Sequence, residues 1–396
     1  MRRRHFNAAA VVVFAVIPLA AFAQQQADPF LRGADLLREG QYAEAEQALV
    51  QAVQQQPDNQ PAWFFLGIAR FRQGKLDEAL QALKRAQQLA PGRPGPMLYI
   101  GQVYERQGKY AEALSAYQRE LAYRRGRDEA EVYCALGRVY CLMGKFKAAE
   151  EVLLRALRLE KKMVEAMYWL GCVYTATEQF EEAERYFKKA RELLIEWQDA
   201  ERALKQKPII EETEVKRIKQ EQEVAQEYHW AEQFASVLGM WPELNKAMGD
   251  MYYKWGRWAD ARNAYRRALD KSEFGNPDDP EVYVLVARCY LADAKEVFDK
   301  EGLLYACIGT LEAGIKAANK ALELRERYGP AYTVLGQIYA CQAATYISMP
   351  DRGIKSHTFK EAIEQYQKAL EVNPREVKAL VGIAEAYLGL GDQAEA

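Results

Sequence analysis

Histidine is scarce in this chain: only His5, His229 and His357 occur, too few for a multi-histidine metal site. Cysteine is limited to six positions, the first being Cys134, so no lipidation cysteine follows the one long apolar run near the N-terminus. Charge of one sign is also missing. With 54 basic and 56 acidic residues the formal net charge is −2, which leaves no electrostatic footprint for nucleic acid. There is no glycine-rich phosphate loop, no nucleophile elbow and no helical His pair of the zinc-enzyme kind. Paired carboxylates are common, but at helical spacings that make them ion-pair partners without a cleft to raise a pKa. No catalytic residue, cofactor-binding residue or metal ligand is therefore assigned.

What is present is a large apolar content, 49%, beside 28% charged residues, enough for an extensive core and a soluble surface. A length of 396 residues exceeds one ordinary compact domain and suits an elongated array. The N-terminus reads MRRRHFN, then an apolar run containing Pro18, then Ala21 and Ala23 around Phe22. This predicts a secretory signal over residues 1–23, with an uncleaved anchor as the alternative. No other stretch could cross a bilayer. The expected product is exported, periplasmic or outer-envelope if the source is bacterial.

The stretch Trp63 to Pro91 sets the pattern for the rest. Trp63, Leu66, Gly67 and Phe71 fall at helical intervals, Gly74 interrupts, and Ala79, Leu83 and Ala86 resume until Pro91. Gly67 and Ala79 are where two helices approach closely. Gly33, Gly67, Gly101, Gly137 and Gly171 are separated by 34, 34, 36 and 34 residues. Ala45, Ala79, Ala113, Ala149 and Ala183 each follow their glycine by twelve residues. A period near 34 means a helical hairpin stacked on copies of itself.

These residues resemble the tetratricopeptide repeat family, whose pattern of a large residue, Leu-Gly, Tyr, Ala, an aromatic or Leu, Ala and Pro appears as Trp63, Leu66-Gly67, Phe71 one place late, Ala79, Leu83, Ala86 and Pro91. The fifth unit supplies Leu170-Gly171, Tyr174, Ala183, Phe187 and Ala190. The resemblance implies an all-α fold, a right-handed superhelical solenoid of antiparallel helix pairs. The third unit departs from the pattern, with Glu120 at the last Ala and Arg125 at the Pro, which predicts an irregular exit turn through Arg124, Arg125, Gly126 and Arg127. Together with Arg119 this turn is either solvated or a contact for an anionic partner.

Residues 24–195 are read as a first stack of about five repeats, and 196–241 as a charged helical spacer divided at Pro208. Within the spacer Val215, Ile218, Ala225, Tyr228, Ala231, Phe234 and Leu238 make only a thin apolar stripe, and His229-Trp230 reads as packing. Residues 242–396 form a second stack of about three and a half repeats. Its second helices in the seventh and eighth units, ending with Ala321 and carrying Ala362, Tyr366 and Ala369, arrive 14 or 15 residues late, which predicts hairpins about two turns taller. The last unit shows Tyr387, Gly391 and Ala396, a first helix without its second, as in a fragment or a stack covered in trans.

In the resembled family peptide ligands lie along the concave surface, formed mainly by first helices. Carried over by position, this nominates Phe64, Ile68 and Phe71 in the second unit, Leu98, Gln102 and Glu105 in the third, and Cys134, Arg138 and Cys141 in the fourth. The fifth adds Tyr168, Cys172 and Thr175, and the sixth Lys246, Asp250 and Tyr253. The Lys and Asn that hold a terminal carboxylate in chaperone-binding members correspond to Phe30 and Ala34, so that clamp is absent from the first unit. In the sixth, Lys246 matches but Asp250 replaces the Asn. Of the cysteines, Cys134 and Cys141 are seven residues apart, too far for a bridge on one helix, and only Cys172 could partner either. Cys289, Cys307 and Cys341, like these three, read foremost as small packing residues. A redox role for Cys141 or Cys172 would require a perturbed thiol pKa.

The sequence thus predicts an exported, non-catalytic scaffold that needs no cofactor, binds protein or peptide segments in a concave groove and assembles an envelope complex. The alternative is the periplasmic arm of a polysaccharide- or protein-export apparatus, with a further domain beyond Ala396.

Overall fold

A computed structural model describes residues 28–126, 129–206, 240–301, 304–345 and 352–391. The signal reading of 1–23, Arg127, the spacer residues from Pro208 to Leu238 with His229-Trp230, and Ala396 lie outside them. The described residues form α-helices with one short 3-10 turn and no strand. They divide into two compact units, 1–161 and 162–396.

In the first unit four helix pairs follow one another: α1 (Pro29–Arg38) with α2 (Tyr42–Gln55), α3 (Gln60–Arg72) with α4 (Leu76–Leu89), α5 (Pro96–Arg106) with α6 (Tyr110–Leu121), and α7 (Glu129–Leu142) with α8 (Phe146–Leu159). Local chemistry fixes their ends. Asn59 accepts a 3.0 Å hydrogen bond from the Ala62 amide just where Pro61 enters α3, so a side chain and a proline share the task of starting the helix. At the far end Gly74 takes φ +78° and the Lys75 amide reaches back 2.9 Å to the Arg70 carbonyl, closing α3 and reversing the chain into α4. Partner helices then meet at the repeat glycines. A Cβ on Gly67 would stand 2.6 Å from Leu83 Cγ, and one on Gly101 2.3 Å from the Tyr117 ring. Ala79, Ala82, Leu83 and Ala86 are fully buried on the opposite wall.

The irregular third exit turn has a specific cause. Glu120, fully buried at the place of the pattern's alanine, accepts from the Gly95 amide at 2.6 Å and from Arg124 Nε at 2.8 Å. Arg124 also reaches Glu131 at 3.1 Å. Burial works against its charge, but the two carboxylates hold its pKa above the ordinary arginine value. Arg124 is thus part of an internal staple and not of a free basic turn.

The second unit contains α9 (Val164–Ala176) with α10 (Phe180–Gln206), α11 (Met240–Lys254) with α12 (Trp258–Leu269), α13 (Pro280–Glu301) with α14 (Leu304–Leu324), α15 (Gly329–Thr345) with α16 (Arg352–Val372), and α17 (Val377–Leu390). Helices α13 and α14 run 22 and 21 residues, α15 and α16 run 17 and 21, against 13 for α9 and 12 for α12. The long seventh pair is filled by Val284, Leu291, Ala294, Cys307, Leu311 and Ala318, a core continued onto α15 by Val334, Leu335 and Ile338.

The helices flanking residues 207–239 pack directly on each other. Phe180 stacks on Trp255 at 5.7 Å, Tyr252 donates to Glu184 at 2.6 Å, and the Arg257 guanidinium sits 4.7 Å from the Tyr252 and Trp255 ring centroids. Glu184 also pairs with Lys188 at 2.9 Å. The fifth and sixth helix pairs are therefore neighbours in one stack. All six cysteines are free thiols.

Candidate functional site

Four of the residues nominated for the groove, Ile68, Phe71, Leu98 and Cys134, are core, because the first helix of one pair is covered by the neighbouring pair. Thr175 is also buried, but at the wall of the cleft described below. Phe71 shows how: the Tyr99 ring meets it edge-on at 5.9 Å and the Arg106 guanidinium lies 4.0 Å above it. Arg106 Nη1 then donates to the Phe71 carbonyl at 3.1 Å.

The remaining first-unit candidates are half-buried. Phe64 belongs to an aromatic row, 5.6 Å from Tyr99 and 5.8 Å from Phe65, which stacks on Phe30. Glu105 and Arg138 neutralise each other through two contacts of 2.6 and 2.9 Å, and Tyr117 donates to the same carboxylate at 2.8 Å. Burial and the Glu105 charge raise the Tyr117 pKa, so its hydroxyl stays a donor. Gln102 lies half-buried on the same helix as Glu105. Burial pushes the Cys141 thiol up to about 11, the reverse of what a nucleophilic or redox cysteine needs.

In the second unit the candidates converge. Tyr168, Cys172 and Thr175 of α9, Asp250 and Tyr253 of α11, and Leu285 and Arg288 of α13 line a cleft of roughly 390 Å³. Phe187 and Tyr265 close its floor, and Lys254 stands at its edge. First helices supply the walls because the glycine at the crossing draws each second helix close and leaves the first helix's other face open. A Cβ on Gly249 would meet the Tyr265 ring at 2.4 Å. Drawn in this way, Tyr265 donates to Asp250 Oδ1 at 2.6 Å and pins the one carboxylate among the described residues that line the cleft. Burial raises the Asp250 pKa above the ordinary aspartate value, against the lowering effects of Tyr265, Lys246 and Lys254. Tyr168 is likewise raised by burial and by its neighbour Cys172. Lys246 points elsewhere, to Glu281 at 2.7 Å. Burial opposes its charge, but that carboxylate holds its pKa up.

Lys254, Leu285 and Arg288 are additions to the candidate set. Arg288 follows Ala287 as Asp250 follows Gly249 and Cys172 follows Gly171, so the register that nominated those two also reaches Arg288. Among the described residues no group of three or more His, Cys, Asp and Glu side chains could hold a metal ion.

Residues 1–209 match the model of the cilia and flagella-associated protein 70 C-terminal domain, and residues 246–297 and 355–396 match a tetratricopeptide repeat model. The chain belongs to the tetratricopeptide repeat family. No curated protein matches it. Among solved structures it is similar to MamA, with 25% identity over 41% of this chain and 93% of that one, at a TM-score of 0.37. A thermophilic tetratricopeptide repeat protein of Thermus thermophilus has 25% identity, 42% and 90% coverage, and a TM-score of 0.37. PilW, described as a type IV pilus biogenesis factor, has 15% identity, 60% and 90% coverage, and a TM-score of 0.45. As a repeat protein, the chain is of a type whose helix pairs present surfaces to protein partners. No helix among the described residues is long and apolar enough to cross a membrane.

Proposed function

We propose that this chain is a non-catalytic, exported scaffold that captures a segment of another protein in the cleft between α9, α11 and α13. The supporting observation is the convergence of Tyr168, Cys172, Asp250, Tyr253, Leu285 and Arg288 on one concavity whose walls are largely apolar. Its volume falls within the range of about 300–1,000 Å³ usual for ligand sites. An open concavity suits an extended or helical segment with one or two hydrophobic anchors. The raised thiol of Cys141 and the pinning of Asp250 by Tyr265 speak for recognition over chemistry.

Export and assembly of an envelope complex complete the reading, motivated by residues 1–23. An N-terminal sequence beginning at Gln24 in the exported fraction is expected, and a chain that keeps Met1 in the cell interior would refute it. Ala247→Tyr fills the cleft from α11. Affinity purification with this variant, its fold checked by circular dichroism, should lose partners that the parent chain retains. An unchanged partner set would sink the assignment of the cleft.

A further inference from the structure

The cations between residues 246 and 288 are treated unequally. Lys246 is tied to Glu281 at 2.7 Å, Arg257 to Asp260 at 2.7 Å, and Arg262 to Asp293 at 2.6 Å, while Arg266 meets the Tyr290 hydroxyl. Lys254 and Arg288, the two cations that line the cleft itself, make no ion pair or side-chain hydrogen bond among the described residues. Asp250 feels the Lys254 charge through space but forms an ion pair with neither cation. It is bound by Tyr265 and lies deeper, beside a phenol and an apolar wall. A basic segment would meet two cations without ion pairs and one carboxylate already engaged, whereas an acidic segment meets two cations available to it.

We infer that the cleft takes a protein segment in which a large aliphatic or aromatic side chain adjoins a carboxylate, the apolar group lying among Tyr168, Phe187 and Leu285 and the carboxylate on Lys254 and Arg288. The inference rests on the proposed reading of the cleft as a protein-binding groove and adds its charge preference. Arg288 provides a planar fork suited to a carboxylate, and Lys254 a mobile point charge beside it. Both cations are on first helices that face the concavity, one at the tip of α11 and one midway along α13, so the acid enters between two consecutive repeats.

The test is selection of random dodecapeptides displayed on phage against the full chain. Expected winners carry Asp or Glu next to Leu, Ile, Phe, Tyr or Trp. Their synthetic amidated forms should bind as well as the free acids, which assigns the carboxylate to a side chain; a requirement for the free acid would move it to a chain terminus. Lys254→Ala and Arg288→Ala should each weaken these peptides about tenfold, in line with a partly desolvated charge-assisted contact. Binding should also fall as salt is raised from about 0.05 to 0.5 M. Peptides that are lost with Ala247→Tyr or Leu285→Ser yet indifferent to both cation variants would overturn the charge preference and leave the groove standing. Peptides indifferent to Ala247→Tyr and Leu285→Ser would overturn the groove as well.

Discussion

Replacing Glu178 by glycine should stabilise this protein. Five of the turns between paired helices place a glycine seven residues after the repeat glycine: Gly40, Gly74, Gly108, Gly144 and Gly256, all with φ between +71° and +78°. In the fifth pair the same place is held by Glu178 at φ +58°. The turn is otherwise equivalent, since the Gln179 amide reaches the Tyr174 carbonyl at 2.8 Å as Lys75 reaches Arg70 at 2.9 Å. A side chain with a Cβ costs about 1–2 kcal/mol in this left-handed region. Glycine removes that cost but gains unfolded-chain entropy worth about 0.4–1 kcal/mol, leaving a net stabilisation of about 0.5–1 kcal/mol. The Glu178 side chain is exposed, so little is lost with it. Urea denaturation followed by tryptophan fluorescence gives the midpoint, and hydrogen exchange of amides 174–184 localises the effect, because a repeat array need not unfold in one step. Glu178→Ala serves as the control, keeping the strained φ while losing the carboxylate. If the glycine variant is no more stable than the alanine variant, the backbone account of this turn is wrong.

The remaining predictions concern charge and sulfur. Glu184 has its pKa lowered because, although burial opposes its charge, Tyr252, Lys188 and Arg257 outweigh burial. A depressed carboxylate contributes stability above its unfolded value, near 4.5, and loses it as the pH falls through the folded value. Parent and Glu184→Gln stabilities should therefore differ at neutral pH and converge once the pH has fallen below the folded value, as read by urea midpoints. A double-mutant cycle of that variant with Tyr252→Phe should give a coupling of about 1 kcal/mol. Restoring the repeat's alanine by Glu120→Ala should destabilise by about 3–5 kcal/mol, because Arg124 is left partly buried without its nearest partner; a neutral thermal midpoint would refute the staple. Protein unfolded without reductant should titrate six thiols. In the native state Cys141 and Cys289, pushed up to about 11 and about 12 by burial, should react with iodoacetamide under mildly alkaline conditions far more slowly than in urea.

The hairpins are legible in the sequence because their determinants are local and repeated: a glycine that admits the facing leucine or ring, an alanine twelve residues on, a turn glycine between them. The cleft is legible only by halves, and the reason is geometric. Which first-helix residue faces a ligand depends on how each pair rotates over the next, and that rotation follows from side chains of the neighbour. Ile68 and Asp250 both follow their repeat glycines directly, yet Ile68 is buried and Asp250 lines an open cleft. Position within the repeat is the same; the neighbour differs. In the first unit Glu105 turns to Arg138 and Tyr117, so the polar members of the concave row consume one another. In the second, Tyr265 takes up Asp250 and leaves Arg288 and Lys254 without an ion pair among the described residues. Glu120 looks like a lapse in the pattern for a related reason: Arg124 is a local partner four residues on, but the Gly95 amide becomes a neighbour only after the third pair has folded back on the turn before it. A residue that breaks the repeat, as Glu120 does, is thus read correctly only with its contacts in hand, and the same holds at a variable position such as Arg288. The two charges have opposite fates. Glu120 is spent inside the fold. Arg288 is left for a ligand, which is why charge-specific binding is predicted for the cleft and not for the turn.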